Sequence, residues 1–345
     1  MKKVGVCGLF GKGEQLLNGQ TVKTKMLTDE LKQAFGSKSV KTVDTYNWKG
    51  NYIKLIKKCF QLIRSCENII ILPAQNGVKV FPALFLILNM FFKKNLHYVV
   101  VGGWLPELLE KNQTLKNILS KFDGIYVETH SMVNSLKKMG LNNAIYFPNF
   151  KRLNIIEKNS LIYSTEGPYK LCTFSRVMKE KGIEDAIEAV ESVNNEYGRV
   201  IYTLDIYGQV EGNYKEEFDV LQKTFPEFIS YKGVVDANES VNVLKDYFVL
   251  LFPTYYEGEG FAGTILDAYA SGVPVVASNW RYNSEVVQDQ LDGLIFENKS
   301  VEKLKEVLIK IEENPNIVNE MKGNCLKRAK DYTPEVIMND FCKYL

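Results

Sequence analysis

The sequence has only two histidines, His97 and His130, in 345 residues, and it contains no C-x-x-C pair and no Asp-x-Asp. Six cysteines at 7, 59, 66, 172, 325 and 342 form neither a Cys/His cluster nor a paired spacing. That pattern speaks against a zinc site or a disulfide framework and suits reduced thiols in the cytosol. A membrane span is also missing. The most apolar run, Val80 to Phe92, contains Pro82 and Asn89, ends at Lys93 and Lys94, and falls short of the ~20 residues that cross a bilayer. A buried helix is expected there, with a segment dipping into a membrane surface as the second reading. The start, MKKVGVCGLFGKGEQ, has lysines but no long apolar stretch behind them, so it reads as a first strand and glycine loop rather than a signal peptide.

A large net charge is absent too, since the total is +2. That total conceals a split. Residues 1–150 carry 21 Lys or Arg against 9 Asp or Glu, and residues 151–345 carry 22 against 32. A basic half is joined to an acidic half. The length favours two domains of roughly 150 to 200 residues, and a 46% hydrophobic content with 19 Tyr and 19 Phe excludes a disordered chain.

Short β-rich runs alternate with longer helical periods, the pattern of parallel strands joined by helical crossovers. Strands are predicted at 3–7, 39–44, 68–72, 97–101, 124–128 and 144–147, and then at 170–175, 200–207, 229–231, 248–252, 273–277 and 293–296. The polar, turn-rich stretch from Pro148 to Pro168 suits a linker. The fold class is therefore α/β, with two doubly wound units whose strand ends bind ligands across a cleft.

The strongest chemical signal is PTYYEGEGFAGTILDAYASGVPVVAS, Pro253 to Ser278. An apolar strand precedes it, Gly258, Gly260 and Gly263 permit tight turns, and Thr264 to Ala270 reads as a helix. Such a loop aims free N–H groups and a positive dipole end at a phosphate. Glu259 and Asp267, eight residues apart, are acceptors for vicinal hydroxyls of a sugar and a ribose. A second signal is FSRVMKEKGIEDAIEAV, Phe174 to Val190, where Arg176 and Lys181 lie between a strand and a helix and complement a diphosphate. Taken singly, each feature is usually a solvated charge or a dipole partner.

Together these segments resemble the retaining glycosyltransferases of family 4, which have the GT-B fold. The resemblance rests on Arg-x-x-x-x-Lys-Gly at Arg176 to Gly182 and on the acidic pair at Glu259 and Asp267. LDIYGQVEG at 204–212, YKGVVD at 231–236 and IYFPNFK at 145–151 agree with it. The first half follows more loosely, through GLFGKGEQLLNGQTVKTKMLTDELK and VVVGGWLPELL. Enzymes building bacterial capsule or O-antigen look most similar. The resemblance implies an N-terminal acceptor-binding domain over 1–160 and a C-terminal nucleotide-sugar domain over 161–333. A last helix, 334–345, is expected to pack back on the first domain.

It also implies roles. Arg176 and Lys181 match the cations that stabilise the leaving diphosphate, and Glu259 matches the acid contacting donor sugar hydroxyls. Asp267 matches the ribose-binding acid, one methylene shorter than usual. Gly260, Phe261, Ala262, Gly263 and Thr264 match the loop whose backbone approaches sugar and phosphates, with Ala262 where proline is frequent. Gly11, Gly13 and Gly19 match a flexible first loop that closes on the donor. Where many members carry a histidine after the fourth strand, this chain has Gly102, Gly103 and Trp104; His130, at a strand-to-helix turn, is the other histidine that could face the cleft. The implied donor is a UDP- or GDP-sugar, with no further cofactor and no metal, and the acceptor is a glycan or a lipid diphosphate.

The segment Asn47 to Arg64 interleaves Lys49, Lys54, Lys57, Lys58 and Arg64 with Ile, Leu and Phe. It reads first as a packed helix with a solvated lysine face, and second as a helix on an anionic membrane surface. A cytoplasmic protein, peripheral on the inner membrane face, fits the second reading. No nucleic-acid recognition motif is present. Two other functions compete with glycosyl transfer: a non-catalytic sugar-nucleotide-binding partner, which could lose the basic pair without penalty, and an NAD-dependent oxidoreductase with Asp44 as its ribose acid. The glycine spacing G-x-x-G-x-G does not fit the dinucleotide fingerprint. Glu259→Ala and Lys181→Ala are each expected to abolish transfer and leave thermal unfolding nearly unchanged.

Overall fold

The computed structural model describes residues 3–11, 13, 19–73 and 75–345. It divides into two units, one formed by residues up to Lys151 together with Pro334–Leu345, the other by Arg152–Thr333. The change of unit falls within the predicted 148–168 connection. From Arg152 onward that connection packs on the second unit, where the Ile156 N–H donates to the Ala270 carbonyl at 3.0 Å and Leu161 is buried.

Unit 1 runs β1 (Val4–Gly8), α1 (Gly19–Phe35), β2 (Val40–Asp44), α2 (Tyr52–Ser65), β3 (Asn68–Leu72), α3 (Phe81–Phe92), β4 (Asn95–Val99), α4 (Leu105–Glu110), α5 (Gln113–Leu119), β5 (Gly124–Val127), α6 (His130–Lys138) and β6 (Ala144–Tyr146). Its sheet is parallel, ordered β2-β1-β3-β4-β5-β6. Strands β1, β3 and β5 are buried along their whole length, because helices cover both faces; hence they read as continuous apolar runs rather than alternating ones. Val6, Leu27, Ile70, Tyr126 and Phe147 share one core with Met338 and Phe341 of the C-terminal segment. The terminal residue is tied in as well: Asn68 Nδ2 donates to the Leu345 carbonyl at 2.8 Å.

Unit 2 runs β7 (Tyr169–Phe174), α7 (Ile183–Tyr197), β8 (Tyr202–Tyr207), α8 (Lys215–Gln222), β9 (Ile229–Gly233), α9 (Ser240–Leu244), β10 (Val249–Phe252), α10 (Gly263–Ala270), β11 (Val275–Ser278), α11 (Asn283–Val286), β12 (Gly293–Phe296), α12 (Val301–Glu313) and α13 (Asn316–Asp331). The last helix, α14 (Pro334–Phe341), belongs to unit 1. The unit 2 sheet is parallel, ordered β12-β11-β10-β7-β8-β9. Strand order therefore reverses between β7 and β10, and open α/β sheets bind ligands beyond the carboxyl ends at such a point.

The Val80–Phe92 segment corrects the expectation of a buried helix. Phe81, Pro82 and Phe85 of α3 are buried, but Ile87, Met90 and Phe91 are 58%, 73% and 79% exposed. A single stripe meets the rest of unit 1, so a helix apolar on every side keeps an uncovered face. Helix α2 departs similarly. Leu55, Cys59, Leu62 and Ile63 point inward, whereas Ile53, Ile56 and Phe60 stand exposed among the lysines. Among the described residues no helix is long and apolar enough to cross a membrane.

Candidate active site

The site is built at the strand-order reversal of unit 2. Beyond β7 the chain continues beside the segment after β8: Ser175 and Val177 N–H donate to the Tyr207 and Gln209 carbonyls, and Glu211 N–H returns to Val177. Gly208 permits this approach, because with φ at +136° a Cβ there would lie 1.7 Å from the Ser175 carbonyl oxygen. The pairing sets Arg176 against Glu211, at 2.6 Å. Burial opposes the Arg176 charge, while hydrogen bonds to Glu211 and Tyr256 favour it and hold its pKa above the ordinary value.

Residues Lys179–Lys181 make one 3-10 turn, closed by Gly182 at φ +68°. A Cβ at Gly182 would lie 2.3 Å from the Pro253 carbonyl oxygen, which gives the Lys-Gly of the motif its physical reason. The turn lies directly against the end of β10. Tyr255 N–H donates to the Glu180 carbonyl at 2.8 Å, fixing the loop that follows β10.

That loop delivers Glu259 to Lys181. Lys181 Nζ and Glu259 Oε2 are 2.5 Å apart, with both side chains 8% exposed. Thr254 Oγ1 donates to the same Oε2 at 2.9 Å. The Tyr256 ring holds the constellation together, with Lys181 Nζ 5.2 Å and the Arg176 guanidinium 5.4 Å from its centroid. Tyr256 is fixed in turn, since its carbonyl accepts from Trp280 Nε1 at 2.8 Å.

Gly260 to Gly263 lead into α10. Phe261 is buried and packs edge-on against Tyr332 at 4.8 Å, so Phe261 serves the core and leaves only its backbone to a ligand. Thr264, in the first turn of α10, has a buried hydroxyl with no hydrogen-bond partner. Asp267 is buried on the same helix. The helix is anchored by Tyr269, whose hydroxyl donates to Asp292 at 2.7 Å.

Gly13 and Gly19 belong to unit 1. Gly13 takes φ +93° with open space where a Cβ would stand, and Gly19 opens α1. Of the predicted glycine loop, Lys12 and residues 14–18 lie outside the described residues. Asp44 accepts N–H bonds from Phe10, Gly11 and Tyr46 through one oxygen, so it braces the loop, unlike a dinucleotide ribose acid. His130 is exposed and stacks on Tyr146 at 3.9 Å. His97 is buried, with Nδ1 3.0 Å from the Tyr126 hydroxyl, and burial lowers its pKa to about 4.

Several contributors were not predicted. Glu211, Thr254 and Tyr256 join the unit 2 site. In unit 1, Lys23 of α1 pairs with Glu128, just past β5, at 2.5 Å, both side chains 3% exposed. Glu128 also accepts from the Gly102 N–H at 3.3 Å, fixing the turn that follows β4. A lysine on the inward stripe of α1 was the available signal.

Residues 154–331 match the glycosyl transferases group 1 family. The chain belongs to that family. An uncharacterized glycosyltransferase of Methanocaldococcus jannaschii is 27% identical over 152 residues, 43% of this chain and 37% of that protein. The Escherichia coli UDP-Gal:alpha-D-GlcNAc-diphosphoundecaprenol alpha-1,3-galactosyltransferase is 30% identical over 88 residues, 26% of this chain and 22% of the enzyme. The matched stretch thus spans well under half the length of either relative. In fold, the chain is similar to Anabaena HepE, solved in complex with UDP: TM-score 0.77, 14% identity and 99% of both chains covered. The group 1 glycosyltransferase has the GT-B fold, two parallel six-stranded α/β sheets.

Proposed function

We propose that this group 1 glycosyltransferase moves a hexose-type sugar, with retention of anomeric configuration, from a nucleoside-diphosphate sugar to a hydroxyl of a glycan or lipid-diphosphate-linked acceptor in bacterial surface polysaccharide biosynthesis. The observation that carries this reading is the Lys181–Glu259 pair, with Arg176 beside it, at the strand-order reversal of unit 2. Uridine is the base we favour, because HepE is solved with UDP and with UDP-glucose and the E. coli relative is named for UDP-Gal.

In this reading Arg176 and Lys181 face the diphosphate. Negative charge grows on it as the bond from C1 to the phosphate oxygen breaks, and fixed cations lower the barrier for that step. Glu259 shares its carboxylate between Lys181 and a donor sugar hydroxyl, and Asp267 takes the ribose. The unpartnered Thr264 hydroxyl and the free N–H groups opening α10 supply donors to a phosphate oxygen. The acceptor oxygen bonds to C1 on the face the phosphate leaves, and its proton passes to that phosphate, so no protein nucleophile is used. Two side-chain cations supply the positive charge, and the transfer is metal-independent. Unit 1 takes the acceptor, and the protein works on the cytoplasmic side of the membrane, peripherally attached.

The test is turnover of a panel of UDP- and GDP-sugars against lipid-diphosphate and glycan acceptors, with the anomeric configuration of the product read by NMR. A product with the donor's configuration is expected. An inverted product overturns retention, and absence of transfer from every donor overturns the activity.

A further inference from the structure

Helices α2 and α3 of unit 1 touch through Phe60 and Phe92, whose rings meet edge-on at 5.3 Å. Their uncovered faces carry Ile53, Ile56 and Phe60 on α2 and Ile87, Met90 and Phe91 on α3, from 42% to 79% exposed. The spacing is helical on both, so each helix presents a stripe. Scattered apolar side chains need no explanation on a protein surface, but two stripes on touching helices do.

The charge around the stripes is of one sign. Lys54, Lys57, Lys58, Arg64 and Lys93 are exposed on the same two helices or at their ends. Between Asp44 and Glu107 the only acid is Glu67. We infer that this face docks unit 1 on an anionic lipid bilayer, with the apolar stripes below the headgroups and the basic side chains against them. Helix α3 is too short to span, so it lies in the interface. A second copy of this chain fits the face poorly, because a two-fold contact through it would bring the two lysine sets together.

This inference rests on the proposed peripheral location and deepens it by naming the face. Its test reads partition without turnover, so a failed transfer assay leaves it standing, and failed sedimentation leaves donor binding standing. The full chain is sedimented with phosphatidylcholine vesicles, alone or with about 30 mol% phosphatidylglycerol, at low salt and at about 0.5 M salt. Retention on anionic vesicles is expected, weaker at high salt, with at least a tenfold fall in partition for Met90→Ser/Phe91→Ser and for Lys57→Glu/Lys58→Glu. Unchanged thermal unfolding of both variants shows that the face, not the fold, was altered. Equal partition to neutral and anionic vesicles, or variants that bind as well as the parent, overturns the inference. So does a concentration-dependent dimer in solution that Met90→Ser/Phe91→Ser dissolves, which assigns the face to a second copy.

Discussion

Lys181 and Glu259, 78 residues apart in sequence, meet at 2.5 Å in a setting that leaves each side chain 8% exposed. Two approaches bring them there: Gly182 lets the lysine turn lie on Pro253, and the loop from Pro253 then folds Glu259 back under Thr254. A buried pair of this kind is both a device for binding and a structural commitment. Removing one partner leaves an uncompensated charge in a dry place.

The expectation that single alanine variants unfold like the parent is accordingly revised. Lys181→Ala and Glu259→Ala should each lower transfer at least about a hundredfold and also cost about 3 kcal/mol of unit 2 stability. The double variant Lys181→Met/Glu259→Gln should recover most of that stability and none of the activity. Denaturant unfolding of the four proteins measures both the loss and its recovery. Single variants as stable as the parent would show that the pair is not buried in solution.

Arg176 is differently placed. It is 40% exposed and its partner Glu211 35%, so the pair itself contributes at most about 1 kcal/mol. An anionic diphosphate must take the guanidinium from that carboxylate. Glu211→Gln should therefore leave unfolding unchanged and tighten UDP binding a few-fold, whereas Arg176→Ala weakens it. Calorimetric titration with UDP distinguishes the two directions, and weaker binding in Glu211→Gln would make Glu211 a contributor to the site rather than a competitor.

Gly208 and Gly182 are at positive φ and face carbonyl oxygens that a Cβ would strike at 1.7 and 2.3 Å. Either glycine replaced by alanine should destabilise unit 2 by about 2 kcal/mol or more and reduce activity beyond that loss. Gly198 is the control. It is also at positive φ but has open space where a Cβ would stand, so Gly198→Ala should cost only about 1 kcal/mol.

How much of this was readable in advance differs by feature. All twelve strands of the described residues were recognised, the central ones because continuous apolar runs mark strands covered on both faces, though β4 begins at Asn95 rather than His97. Arg176, Lys181 and Glu259, which the structure brings together, stood out as candidates because glycine punctuates the loops that hold them. Glu211 and Thr254 were not, since each matters only through a partner that tertiary folding supplies. Nor could periodicity tell that Met90 and Phe91 face outward, because an apolar helix looks the same whichever side its neighbour covers.

His97 makes unit 1 sensitive to acid. Burial lowers its folded-state pKa to about 4, below the unfolded value of about 6.5. Between those values the unfolded chain binds the extra proton, so stability is full above about pH 6.5 and declines by about 3 kcal/mol as pH falls toward 4. His97→Gln should flatten that part of the stability profile of unit 1. An equal slope in the variant would place the acid sensitivity in other groups.

If Arg176 and Lys181 carry the diphosphate charge, chelation should not matter. Dialysis against EDTA followed by assay in chelator is expected to leave the rate of transfer within about twofold of the untreated enzyme, whereas a bound Lewis acid would be worth several kcal/mol of barrier. A large loss restored by Mg²⁺ or Mn²⁺ would assign the charge to a metal.

The most direct measurement is calorimetric titration of UDP into the full chain and into Arg176→Ala and Lys181→Met. One UDP per chain is expected, bound at least about tenfold more weakly by each variant, as charge-assisted contacts to phosphate require. UDP binding of equal strength in all three proteins, or none in the parent, would contradict a donor site at the strand-order reversal of unit 2.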